Sequence, residues 1–285
     1  MKQYEVLQWA FSFLKKHERE EKVAEILLQH HLDVSKEQFF TMMQETVPPS
    51  LQEKFITDVK SHAIYGVPVQ HLTGYEYFYG RKFSVNEHVL IPRVETEELV
   101  YHVIEQVHTH YNGLPLTIID VGTGSGVIAI TLALELPNAT IYATDISKEA
   151  LFVAEENAQS HHATVHFLNG NFLEPILEQQ LSPQIIVSNP PYIRKTDEHL
   201  LTDTVKRYDP KLALFADNNG LAAYETIMKQ IKKLPIETRN IYFEIGYDQA
   251  TDVTSIIKAS YPLSHIKTIK DINGKDRIIS ANVIK

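Results

Sequence analysis

The stretch Ser188-Asn189-Pro190-Pro191-Tyr192-Ile193 sets an amide, two prolines and a phenol directly behind the apolar run Gln184-Ile185-Ile186-Val187. That run reads as a short buried strand. Prolines donate no backbone N–H and fix φ, so they end a strand. Ending a strand, however, needs neither Asn189 nor Tyr192. Asn189 Oδ1 and the Pro190 carbonyl are two acceptors on a loop stiffened by Pro190 and Pro191. Such a pair could grip the two N–H groups of a planar –NH2. An amide or exocyclic amine nitrogen is a weak nucleophile because its lone pair is delocalised. Held by two preorganised acceptors, it can rotate and pyramidalise, which frees the lone pair. Tyr192 can stack on the planar group.

A second cluster is Asp120-Val121-Gly122-Thr123-Gly124-Ser125-Gly126, at the end of another apolar run. Three alternate glycines let backbone approach a ligand closely, and a helix follows. Asp145 comes about 20 residues later at the tip of the next strand, where an acid can accept both ribose hydroxyls of an adenosine. The plainer readings are a tight strand-to-helix connection for the glycines and a helix N-cap for Asp145 or Ser147. NAD and S-adenosylmethionine both fit an adenosine site. The compact Gly-x-Gly-x-Gly turn behind Asp120 resembles the first motif of Rossmann-like methyltransferases. Asn-Pro-Pro-Tyr resembles the corresponding loop of their amino-methylating members. The two motifs together imply S-adenosylmethionine.

These side chains need a frame that brings strand ends together. From about residue 95 helices and strands alternate: helix 96–110, strand 116–121, helix 125–136, strand 140–144, helix 147–159, strands 164–168 and 184–187, helix 220–233 and strand 240–244. Alternation of this kind implies a parallel sheet with helices on both faces, and ligands bind at the carboxyl ends of its strands. The tail reads as a closing hairpin across Asn273-Gly274. Residues 1–67 read as helices only, with a capping box from Ser35 to Gln38, a helix carried on through Met42 and Met43, and Ser50 capping the next one after Pro48-Pro49. Residues 68–92 change character, and 75–85 read as a β-hairpin turning at Gly80-Arg81. The expected organisation is therefore a helical domain at 1–67, a hairpin linker at 68–92 and a catalytic domain at 93–285.

Composition narrows the function classes. The chain has 285 residues, a formal net charge of −9 and no cysteine. A nucleic-acid protein usually carries a basic excess, so nucleic acid is a disfavoured substrate. Without cysteine there is no disulfide or thiolate chemistry, which fits a cytoplasmic protein. No apolar run approaches a membrane span, and Met1-Lys2-Gln3-Tyr4-Glu5 does not open a signal-peptide core. Fourteen histidines include the adjacent pairs His30-His31 and His161-His162. These do not face one ligand on a helix, so no metal site is expected.

The segments Pro68-Val69-Gln70-His71-Leu72-Thr73-Gly74, Phe78-Tyr79-Gly80 and Leu90-Ile91-Pro92-Arg93-Val94-Glu95-Thr96-Glu97 resemble those of the release-factor glutamine methyltransferases. Tyr208-Asp209-Pro210, Phe243-Glu244-Ile245-Gly246 and Gly274-Lys275-Asp276-Arg277 extend the resemblance over essentially the whole chain. The resemblance implies a Rossmann-like class I methyltransferase fold, preceded by a small helical bundle that docks the substrate and a linking β-hairpin. It implies methylation of the N5 amide of the Gly-Gly-Gln glutamine in class-1 peptide chain release factors. Gly122, Thr123, Gly124, Ser125 and Gly126 would then hold the methionine part beside Asp120, Asp145 the ribose, and Asn171 and Phe172 the adenine. Asn189, Pro190, Pro191 and Tyr192 would hold the substrate amide, with Asn189 also reaching the methyl donor. Arg93, Glu95 and Thr96 would lie at the substrate mouth. This chain has Val94 where the family usually has proline, and Asn171 where many members have an acid. The competing substrates are a ribosomal-protein glutamine and a DNA adenine, and the different-class alternative is a non-catalytic module that binds translation factors.

Overall fold

The computed structural model describes residues 1–111, 113–235 and 238–284. They form two units. One is Met1–Tyr75 with Thr202–Tyr208, and the other is Glu76–Leu201 with the described residues from Asp209 onward.

In the first unit, helices Gln3–Lys16, Lys22–Leu32, Lys36–Thr41 and Pro49–Lys60 turn their apolar stripes inward on Leu14, Leu27, Phe39 and Phe55. Ser35 and Gln38 form the expected reciprocal cap, with each side chain bonded to the other's backbone N–H. The helix they start stops at Thr41, short of Met42 and Met43. Pro48 and Pro49 do more than end a helix. Pro49 is the first residue of the next one, so Ser50 lies inside it rather than at its cap. Proline suits that position because its missing N–H would have no helical partner. Residues Val69–Thr73 form a short helix closed by Gly74 at φ +79°, not part of a hairpin. Thr202–Tyr208 joins this unit through Arg207 and Tyr208, whose side chains donate to the Tyr65 carbonyl at 3.4 and 3.2 Å.

Strands β1 (Tyr75–Phe78) and β2 (Arg81–Ser84) make the hairpin. It turns at Tyr79-Gly80, both at positive φ, one residue earlier than the sequence suggests. Two central residues at positive φ match the right-handed twist of the flanking strands.

The second unit is built on a seven-stranded sheet. Its members are β3 (Leu116–Val121), β4 (Ala139–Asp145), β5 (His166–Asn169), β6 (Ile185–Ser188), β9 (Thr238–Glu244), β10 (His265–Lys270) and β11 (Asp276–Ile284). A separate pair is made by β7 (Ile193–Arg194) and β8 (Phe215–Ala216). The order is β10-β11-β9-β6-β3-β4-β5; β9 to β5 are parallel, β11 alone runs against them, and β10 pairs antiparallel with β11 and so shares the direction of the others. Both faces are covered, which explains the unbroken apolar runs. Ile118, Ile185 and Val187 face a core shared with helices Val94–His110 and Val127–Glu135. Ile119, Val121 and Ile186 face the opposite core, which includes Tyr224, Ile227 and Val253 from helices Ala222–Ile231 and Ala250–Ser260. The chain leaves β3 toward β4 and β5, then returns to β6 on the other side of β3. The crevice of such a sheet lies where the strand order reverses, at the carboxyl ends of β3 and β6.

Candidate active site

The turn after β3 is shaped by hydrogen bonds to its neighbours. Gly122 and Thr123 donate their N–H groups to the Thr144 carbonyl at 2.8 and 2.9 Å. Asp145, ending β4, accepts from Gly124 N–H and Ser147 N–H, both at 2.9 Å. Each carboxylate oxygen keeps further lone pairs for a ligand hydroxyl. Burial pushes the Asp145 carboxyl above its usual range. The N-cap of the following helix is Ser147, whose Oγ accepts from Ala150 N–H at 3.0 Å, so Asp145 does not serve there. Gly122 and Gly124 sit at φ +75° and +55°, and a β-carbon on either would enter open space. Gly126 differs: its β-carbon would lie 2.8 Å from Ile130 Cδ1 and 3.0 Å from Ala154 Cβ. The first two glycines keep room in the crevice, and the third lets two helices meet.

Asp120 lies beneath this turn. It is fully buried, and its Oδ2 accepts from Thr123 Oγ1 at 2.6 Å and Ala129 N–H at 3.2 Å. Oδ1 has no partner among the described residues, and burial pushes the carboxyl up to about 7. Asn157 braces the turn from the other side. Its amide donates to the Ser125 and Ser84 carbonyls and accepts from Ser84 N–H, which ties the glycine turn to the end of β2.

Beyond the turn lies a cleft of about 460 Å³, within the second unit. Gly122, Gly124, Asp145, Phe172, Asn189 and Pro191 all line it, and so do Arg93, Thr96, Ser125 and Asn171. Its size is that of a small-molecule pocket. Asn189 leaves β6 half-buried, and its Nδ2 donates to Thr96 Oγ1 at 3.2 Å. Thr96 Oγ1 donates in turn to Glu244 Oε2 at 2.7 Å. Glu244 ends β9 beside β6, and burial pushes its carboxyl up to about 7. Arg93 is held by Asp209, Nη2 to Oδ2 at 2.9 Å.

The backbone after Asn189 is fixed from behind. Gln249 Nε2 donates to the Tyr192 carbonyl at 3.0 Å, while Gln249 Oε1 accepts from Gly246 N–H. Gly220 passes so close that a β-carbon there would lie 2.1 Å from the Tyr192 carbonyl oxygen.

A family model described as the PrmC N-terminal domain matches residues 5–74, and one described as the methyltransferase small domain matches 102–232. The release factor glutamine methyltransferase of Bacillus cereus is 40% identical over 283 residues, spanning 99% of this chain and 100% of that one. The Bacillus subtilis protein of the same name is 41% identical, spanning 99% of this chain and 98% of its own. The chain belongs to the family of release factor glutamine methyltransferases. The fold extends further: the hMettl16 catalytic domain, solved with MAT2A 3′UTR hairpin 6, is 14% identical with a TM-score of 0.53, covering 83% of this chain and 82% of that one.

As a member of this family the protein is a class I methyltransferase, and its methyl donor is S-adenosylmethionine. The open space at Gly122 and Gly124 and the carboxylate of Asp145 fit such a group. Several residues expected at the site stand outside the cleft lining. Asp120 and Gly126 act through the glycine turn. Pro190 is buried, and Tyr192 packs against the core that holds Tyr224 and Ile227. Burial drives the Tyr192 phenol well above its usual range. Glu95, in the first turn of helix Val94–His110, also lies off the lining. Asp209, Gln249 and Asn157 were not foreseen as site residues. Asp209 was visible only inside the Tyr208-Asp209-Pro210 motif, and nothing local marks the other two. Among the described residues no helix is long and apolar enough to cross a membrane.

Proposed function

We propose that the protein methylates the N5 amide of the glutamine in the Gly-Gly-Gln motif of a class-1 peptide chain release factor, in the cytoplasm. The observation that carries this reading is Asn189 at the carboxyl end of β6. Asn189 lines the cleft and its Nδ2 donates to Thr96, so Oδ1 is the end of the amide left to accept from a substrate. A primary amide nitrogen carries two N–H groups and a delocalised lone pair, so it needs acceptors rather than a strong base.

Bound S-adenosylmethionine supplies a methyl group already activated on a sulfonium. The chain's own residues then have to bind and orient. Gly122 and Gly124 would let backbone approach the donor's chain, Asp145 would accept from its ribose, and Phe172 with Asn171 would border the base. Asn189 Oδ1, on the cleft lining, would accept an N–H of the substrate amide and help turn the nitrogen lone pair toward the methyl; Pro190, buried behind it, stiffens the loop. Pro191 stiffens this loop and forms cleft wall. Tyr192 supports it through its half-buried ring, packed against the core, and its carbonyl bond to Gln249. Arg93, held by Asp209, stands on the lining as a hydrogen-bond donor for substrate backbone.

The test offers labelled S-adenosylmethionine with a purified release factor, ribosomal proteins and an adenine-containing duplex side by side. Label entering the release factor, and lost when its glutamine is replaced by alanine, supports the proposal. Label entering only ribosomal protein or DNA overturns it.

A further inference from the structure

An asparagine amide is ambiguous. Its oxygen and nitrogen ends have nearly the same shape but opposite hydrogen-bonding sense. Presented by its –NH2 end, Asn189 would face a substrate –NH2 with donor against donor. Something must therefore set the side-chain torsion. We infer that Thr96 and Glu244 are positioning residues that fix the Asn189 amide with its oxygen toward the substrate. This rests on the acceptor role proposed above for Asn189.

The logic is one of counting hydrogens. Thr96 Oγ1 carries a single hydrogen and gives it to Glu244 Oε2 at 2.7 Å. Toward Asn189, 3.2 Å away, Thr96 has only lone pairs left. The Nδ2 end of the amide satisfies them and the Oδ1 end does not. Thr96 and Glu244 are 3% and 2% exposed, so water does not relax this requirement. The direction of the chain depends on Glu244 being an acceptor. A protonated Glu244 could donate to Thr96, whose hydrogen would then favour Oδ1 and turn the amide over.

Glu244 is placed by several elements. Its backbone carbonyl accepts from Tyr224 Oη at 2.8 Å on helix Ala222–Ile231. Arg277 of β11 faces it as the neighbouring cation, itself tied to Asp271 at 3.2 Å. Glu95 from helix Val94–His110 and the Tyr192 phenol are the other ionisable groups around it. Burial and Glu95 oppose the ionised carboxylate, while the Thr96 hydroxyl, the Arg277 charge and the Asn189 amide favour it, the last consistent with Nδ2 of Asn189 pointing toward Glu244.

The experiment compares full-length wild type with Thr96→Val, Thr96→Ser, Glu244→Gln and Asn189→Ala. Turnover is measured on a purified class-1 release factor, S-adenosylmethionine affinity by calorimetry, and thermal midpoint in parallel. Valine keeps threonine's shape and removes the hydroxyl, so kcat falls at least about tenfold, as mis-aimed groups cost. Cofactor Kd stays within a few-fold, and serine restores most of the turnover. Wild-type kcat rises with pH as Glu244 ionises, and Glu244→Gln flattens that rise. Wild-type kcat in Thr96→Val beside an inactive Asn189→Ala overturns the inference alone. So do equal losses in the valine and serine variants, or losses of kcat that track the thermal midpoint. An Asn189→Ala variant with full turnover overturns the acceptor reading itself, and the inference with it.

Discussion

Asn189 carries the account at the scale of the residue. It lines the cleft, and its Nδ2 donates to Thr96. Replacing it by alanine removes an acceptor that matters as the amide nitrogen pyramidalises. The expected result is a kcat loss of at least about a hundredfold, the range for removing one preorganised donor or acceptor of a transition state. S-adenosylmethionine affinity should change by no more than a few-fold. Calorimetry with single-turnover kinetics separates the two quantities, and parallel losses would contradict the acceptor role. The sequence alone marks Asn189 because an amide next to two prolines serves no structural purpose at a strand end. It does not mark the Thr96–Glu244 pair, whose partners lie 148 positions apart. Tyr192 is the opposite case. An aromatic beside a reactive amide suggests stacking; in the structure the ring is half-buried against the core and the Tyr192 carbonyl is held by Gln249.

At the scale of the element, three glycines in one turn have two different purposes. A β-carbon at Gly124 would protrude into open cleft at a φ of +55°, while one at Gly126 would strike Ile130 and Ala154. Gly124→Ala should therefore weaken S-adenosylmethionine binding by about tenfold or more, with left-handed strain of about 1–2 kcal/mol. Gly126→Ala should chiefly lower the thermal midpoint, by about 2–4 °C per kcal/mol lost. Calorimetry and thermal denaturation on the two variants check the split; an unchanged Kd in Gly124→Ala would contradict it. The turn was readable because glycine spacing and a following helix are local signals. What could not be read is which glycine faces the ligand, since that depends on helix Lys148–Ser160 arriving behind Gly126. Helix Val69–Thr73 was hidden similarly: five residues between Pro68 and Gly74 carry too little periodicity to announce a helix.

For the molecule as a whole, two buried acids beneath the site set a pH dependence of stability. Burial raises Asp120 from 3.8 and Glu244 from 4.5, each to about 7. The folded state then holds protons that the unfolded state has released, so stability is greatest below the unfolded values and falls as pH rises through about 7. For Glu244 the shift corresponds to about 3 kcal/mol at most. Denaturant unfolding at about pH 5 and about pH 8 should show this fall in wild type and a smaller one in Glu244→Gln. An equal fall in both would show that Glu244 does not titrate in this range. The alternation of strands and helices made the parallel sheet and its crevice readable, because burial on both faces imposes continuous apolar runs. Membership of Thr202–Tyr208 in the first unit was not readable, because long-range contacts such as its bonds to Tyr65 and the ring contact of Tyr208 with His71 reveal it. The measurement that tests the central claim most directly is tandem mass spectrometry of a purified class-1 release factor after incubation with the protein and S-adenosylmethionine. One added methyl on the glutamine of the Gly-Gly-Gln motif is the predicted result. A methyl on any other residue, or none while the cofactor binds, would contradict it.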